Sequence, residues 1–207
     1  MSVKNRVVKT LVIVTAAMFV LTGCTSFGAR PPIVTGTEAM AMTDKTPAEV
    51  LLMVLNYSQS VATDNGSTQT WTDPAYGKDL TGIWATEPHG TQTLSGWVGK
   101  TKASLYPRSG LFDYTQGLLS PESESLATVT RDGDLFTVAD PEHPGWLQTF
   151  KVSEGLIREE TSNGSGTGRK IHIDYFITDQ ARALFTVATP VPIHTLPPEF
   201  VEEGRAK

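Results

Sequence analysis

The sequence predicts an α+β domain in which one N-terminal helix packs on a curved antiparallel sheet. Three observations predict it. Thr46-Pro47-Ala48-Glu49 reads as a capping box with proline at the first helical position, and an apolar run follows it. After Gly66 the texture changes to short runs of Val, Ile, Thr and aromatic residues separated by turn residues. Those runs lie close together in the chain. Successive hairpins build antiparallel sheets, because parallel strands need long crossovers.

The helix starts at Thr46 and carries Val50, Leu51, Leu52, Met53, Val54, Leu55, Tyr57 and Val61. It is apolar over more than one face, which predicts burial in the core. Asp64-Asn65-Gly66 ends it. Strands are expected over 82–86 and 110–118. The runs 126–130 and 135–139 flank Arg131-Asp132-Gly133-Asp134, whose Asp-Gly pair signals a hairpin. The runs 146–152 and 156–161 flank Glu154-Gly155 in the same way. Ile171, Ile173, Tyr175 and Ile177 then alternate with His172, Asp174 and Phe176, so one face of that strand is expected to be buried. The span 94–106 reads equally as strand or loop. No internal repeat is present.

The chain start has a different character. Lys4, Arg6 and Lys9 precede an uncharged run over 11–21, and Cys24, the only cysteine of 207 residues, follows. Basic start, apolar run and small-residue site in that order make a secretory signal peptide. The run is short of the about 20 apolar residues a spanning helix needs. Leu21-Thr22-Gly23-Cys24 resembles the lipobox of bacterial lipoproteins. The resemblance implies a diacylglyceryl group on the Cys24 sulfur, cleavage before Cys24 and acylation of the new terminus. Thiolate nucleophilicity suits that lipidation, and two acyl chains give stable anchoring. The expected location is extracytoplasmic, on the cell membrane through lipid on Cys24. In a Gram-negative cell, Thr25 in place of Asp after Cys24 resembles the outer-membrane sorting pattern.

The organisation read from these signals is a signal peptide over 1–23, a flexible tether over 24–45, one α+β domain over 46–188 and a Pro-rich acidic tail over 189–207. Gly28, Pro31, Pro32 and Gly36 punctuate the tether, whose expected span is about 25 Å. Pro190, Pro192, Pro197 and Pro198 precede Glu199, Glu202 and Glu203 in the tail. Dense proline favours polyproline II over packed structure.

Charge and cysteine usage exclude several classes. The formal net charge is −5, and removal of the signal takes three basic residues and no acidic one. An acidic chain repels phosphate backbones, so nucleic acid is not an expected partner. With Cys24 lipidated there is no thiol left for a disulfide, and the core must hold the fold.

Two further likenesses concern the domain. Phe150-Lys151-Val152-Ser153-Glu154-Gly155-Leu156-Ile157 resembles the late strand pair of the NTF2-like superfamily, with Glu154 where an Asp is usual. That resemblance implies a cystatin-like roll, whose cone of sheet and helix serves as an isomerase pocket, a hydrolase pocket or an association surface. Leu80-Thr81-Gly82-Ile83-Trp84 resembles the Gly-x-Trp opening of lipocalin-type barrels. It implies, as the alternative fold, a lipocalin-like β-barrel that carries small apolar ligands, with Trp84 closing the floor against Arg169 or Arg182.

Catalytic patterns are sparse. There is no Gly-x-Ser-x-Gly elbow and no Ser-x-x-Lys, and His89, His143, His172 and His194 lack His-Glu-x-x-His spacing. The Gly-rich span 163–170 leads into a β-pattern and reads as a hairpin loop, not a phosphate loop. Glu87-Pro88-His89-Gly90 and 141–145 read as solvated turns, and neither a metal nor a cofactor is expected. One pair survives: His172 and Asp174, two apart on a strand, share a face. In a cone pocket shaped by Phe176 and Trp146, the carboxylate would orient the imidazole as a general base. On a wet face the two stand in solvent instead. The expectation is an envelope lipoprotein whose domain binds or assembles without catalysis, toward an envelope protein or a small apolar ligand. The alternatives are a lipocalin-like carrier and an NTF2-like pocket enzyme using the His/Asp pair.

Overall fold

The computed structural model describes residues 33–77, 79–143, 145–163 and 168–191. Cys24 with its signal segment, and the tail from 192, lie outside the described residues.

Two capped helices come first. In α1 (Gly36–Ala41) Thr35 and Glu38 form a capping box, and in α2 (Pro47–Asn65) Thr46 and Glu49 form the expected one. In each box the Thr hydroxyl accepts the N3 backbone N–H while the Glu carboxylate accepts the cap N–H, so two orphan donors are satisfied at once. Those hydrogen bonds hold both carboxyls below the usual range. Within the expected tether, Gly36–Ala41 is helical, and its Gly36 and Ala39 are buried. Its first residue meets the turn at Gly155 so closely that a Cβ on Gly36 would fall 1.7 Å from the Gly155 carbonyl oxygen.

The sheet has ten strands: β1 (Ser67–Thr72), β2 (Gly82–Thr86), β3 (Gln92–Trp97), β4 (Ala103–Pro107), β5 (Thr128–Asp132), β6 (Leu135–Ala139), β7 (Leu147–Ser153), β8 (Leu156–Ser162), β9 (Arg169–Asp174) and β10 (Ala188–Pro190). Their order is β10-β4-β3-β2-β1-β9-β8-β7-β6-β5. Two antiparallel meanders, β1 to β4 and β5 to β9, are joined where β1 pairs with β9. Among the described residues only the β10–β4 pair is parallel. The fold is therefore α+β with a large, mostly antiparallel open sheet. The lipocalin-like barrel is corrected by the same order: the end strands β10 and β5 do not pair among the described residues, so the sheet stays open. The turn between β7 and β8 has positive φ at both Glu154 (55°) and Gly155 (74°), the twist that a two-residue hairpin requires.

The expected strand over 110–118 is a helix, α3 (Asp113–Leu119). Leu111, Phe112 and Tyr114 read as strand formers. The Asp113 carboxylate instead accepts the Gly110 N–H at 2.7 Å and turns the chain. A last helix, α4 (Asp179–Phe185), is capped by Thr178.

Each sheet face has its own core. One carries Trp71, Phe136, Val138, Phe150, Ile157, Ile171 and Ile173, packed beneath Val50, Leu51, Val54 and Leu55 of α2. Ser58 of α2 adds a polar tie, accepting the buried Ile157 N–H at 3.0 Å. On the other face α4 covers Ile83, Ala85 and Leu94 with Ala181 and Leu184. That cover rests mainly on β2 and β3, and its cluster extends to Ala103 of β4. Among the described residues, no helix covers the second face over β5 to β9.

Candidate functional site

The open face takes its character from strand alternation. In β9, Ile171 and Ile173 point into the core, which sends His172 and Asp174 to the other side. His172 Nε2 stands 3.4 Å from Asp174 Oδ1, and the imidazole side chain is 54% exposed. Register sets Glu159 of β8 and Thr70 of β1 on either side of His172. A groove of about 370 Å³ runs here, bordered by Thr70, Thr72, Thr81, Glu159, Lys170 and His172. Lys151 Nζ is 3.5 Å from Glu159 Oε1 and pairs with it across β7 and β8.

The four residues singled out from the sequence are thus only partly gathered. His172 and Asp174 stand together. Phe176 is exposed beyond the strand end, its carbonyl accepting the Thr68 hydroxyl at 2.9 Å. Trp146 belongs to the other side of the sheet, where its ring meets Tyr114 of α3 edge-on at 5.4 Å. Neither shapes the groove. Cys24 falls outside the described residues.

The covered face holds a polar cluster that the sequence reading missed. The Thr115 hydroxyl donates to Gln148 Oε1 at 2.7 Å, and Gln148 Nε2 donates to Glu160 Oε1 at 2.6 Å. Protein surrounds Glu160 on most sides, although part of the side chain still touches solvent. Burial pushes its carboxyl up to about 7, against the opposing pulls of the Gln148 hydrogen bond and the Arg169 charge. Glu160 is inward because of a register shift: Val152 pairs with Ile157, yet Lys151 pairs with Glu159. Arg158 is the extra residue, and it exchanges the faces of everything after it.

Next to it, Arg169 Nη2 lies 3.2 Å from Asp73 Oδ2, and the guanidinium sits 5.0 Å from the Trp71 ring centre and 5.6 Å from Trp84. Trp71 also packs on Tyr76, Trp84 and Trp97. The Trp84–Arg169 contact implied by the Gly-x-Trp likeness is present, on an open sheet. Its role here is to clamp the Pro74–Tyr76 turn against β9.

Chemically, the two sides differ. Glu160, half-protonated near neutral pH, is a hydrogen-bonding group inside the protein. The groove offers hydroxyls, an ammonium, an imidazole and a carboxylate in water, which is the equipment of a polar binding surface. Among the described residues no three His, Cys, Asp or Glu side chains gather to hold a metal ion. No family model matches the chain, and no curated protein sequence matches it.

Proposed function

We propose that this protein is a cell-envelope lipoprotein, anchored to the membrane through lipid on Cys24, whose single α+β domain works by binding or assembly. The observation that carries the reading is Leu21-Thr22-Gly23-Cys24 at the end of a basic-then-apolar signal, with the only cysteine of the chain at the lipidation position. The character of the domain supports the second half. Its interior is filled by its own Trp71, Trp97, Phe136 and Phe150. The one His/Asp pair on a strand stands in water, where an imidazole is oriented but not desolvated. A helix laid on a long sheet, followed late by the hairpin over 150–157, supports an NTF2-like roll used as an association surface.

The test is processing. Cys24→Ser removes the nucleophile, so the chain should accumulate as uncut precursor with its signal still attached. Normal cleavage of the Cys24→Ser chain would overturn the anchoring.

A further inference from the structure

The β1–β4 half of the sheet has an aromatic and polar inner side. Ile83, Ala85 and Leu94 pack under α4, so alternation sends Trp84 and Ser95 the other way. Register lines up Ser104, Ser95, Trp84 and Gln69 across β4, β3, β2 and β1. The neighbouring line holds Trp97, Gly82 and Trp71. Gly82 makes room for the Trp71 ring, which lies 2.1 Å from where a Cβ would stand. α2 rests mainly on β5 and β8, and α4 packs on the opposite side, yet Gln69, Ser95 and Ser104 are buried. Ser95 is 4% exposed, and its Oγ has no hydrogen-bond partner among the described residues. A buried hydroxyl left unpaired is costly, so it marks a place where a partner group belongs.

We infer that this inner side of β1–β4 is a polyproline groove for the chain's own carboxyl-terminal segment, residues 192–207. Chemistry supports that occupant. Pro192, Pro197 and Pro198 favour polyproline II, whose carbonyls have no internal hydrogen bonds. Such segments dock on grooves lined by aromatic rings. Trp71, Trp84 and Trp97 supply the rings, and Ser95 Oγ and the Gln69 amide supply donors for the free carbonyls. The starting point of the segment also fits. The Val191 N–H donates to the Leu105 carbonyl at 2.9 Å, so the chain leaves the fold beside β4, next to Ser104. Reach is sufficient. β1 is three strand spacings from β4, about 14 Å. Pro197 stands six residues past Val191, which spans about 19 Å in polyproline II. The amino-terminal side is a poorer match, because α1 begins against the Gly155 turn of β7 and β8, in the other half of the sheet.

The inference goes beyond anchoring at Cys24 and does not rest on it. The test is acrylamide quenching of tryptophan fluorescence, with the full chain in detergent micelles. Pro197→Ala with Pro198→Ala should raise the quenching constant about twofold while the far-ultraviolet dichroism stays unchanged. A synthetic peptide of residues 192–207 should bind that variant and restore the protection. It should bind the unsubstituted chain at least tenfold more weakly, because the tethered segment competes at high effective concentration. Gln69→Leu, added to the Ala variant, removes a donor at similar size and should weaken the peptide at least threefold. If that chain does not fold, Ser95→Ala carries the same comparison. Equal quenching with and without the two prolines, no peptide binding to the Ala variant, or equal affinity for both chains would overturn the inference. So would undiminished peptide affinity in the Gln69→Leu or Ser95→Ala chain. Protection that depends on protein concentration, with a dimer that the Ala pair abolishes, would also overturn it and seat the segment of a second copy in the groove.

Discussion

Arg169 and Asp73 form the ion pair on which the aromatic end of the domain closes: Nη2 and Oδ2 are 3.2 Å apart, and Asp73 is 2% exposed. Asp73 also accepts the Ala75 N–H at 2.9 Å, so the same carboxylate holds both β9 and the turn that follows β1. Removing the cation would strand a buried charge, which costs more than the pair itself contributes. Arg169→Met should therefore lower stability by about 3 kcal/mol in urea unfolding and alter the near-ultraviolet dichroism of Trp71 and Trp84. A loss well under 1 kcal/mol would show that the clamp is ornamental.

Glu160 makes stability depend on pH. Its carboxyl titrates near 4.5 when the chain is unfolded and at about 7 in the fold. Between those values the folded state holds the extra proton, so stability should fall as pH rises from about 4.5 to 7 and level off above. Glu160→Gln keeps an acceptor for Gln148 and removes the charge. It should flatten that slope and raise stability at pH 8 by about 2 kcal/mol. Thermal unfolding from pH 5 to 8 reads both effects, and an equally steep slope in the Gln variant would exclude Glu160 as its source.

Much of the framework was legible in the chain. Gly82–Thr86 and Leu135–Ala139 occur with the bounds read from composition and turn residues, and the Thr46–Glu49 box begins α2 as expected. What stayed hidden has physical causes. α1 has the same Thr-x-x-Glu signature at Thr35 and Glu38, but six residues cannot display a helical period. α3 is built from residues that favour strands, and its direction is decided by the Asp113–Gly110 bond. Glu160 is inverted by the register shift at Arg158, which alternation alone cannot reveal. Of the site, His172 and Asp174 were legible as a pair on one face. The groove beside them was not, because it depends on the register of β8, β9 and β1.

Gly36 tests the packed state of α1. Gly36→Ala would drive a methyl group into the Gly155 carbonyl, and the backbone there cannot yield as a side-chain tip would. It should destabilise by about 2 kcal/mol, seen as a lower unfolding midpoint. A free tether would tolerate the change without effect.

Ser58 joins α2 to β8 by its contact with the Ile157 N–H. Ser58→Ala leaves that buried donor unmatched and should cost about 1 to 3 kcal/mol. Hydrogen exchange at Ile157 should quicken by more than at its neighbours. Unchanged exchange there would mean that the hydroxyl does not hold the strand.

The most direct measurement is the mass of the amino-terminal peptide from protein purified out of the cell membrane. Lipid anchoring at Cys24 requires a peptide that begins at Cys24 and is heavier than its sequence by a diacylglyceryl group, with or without a further acyl chain on the new terminus. A peptide that begins at any other residue, or an unmodified Cys24, would contradict it.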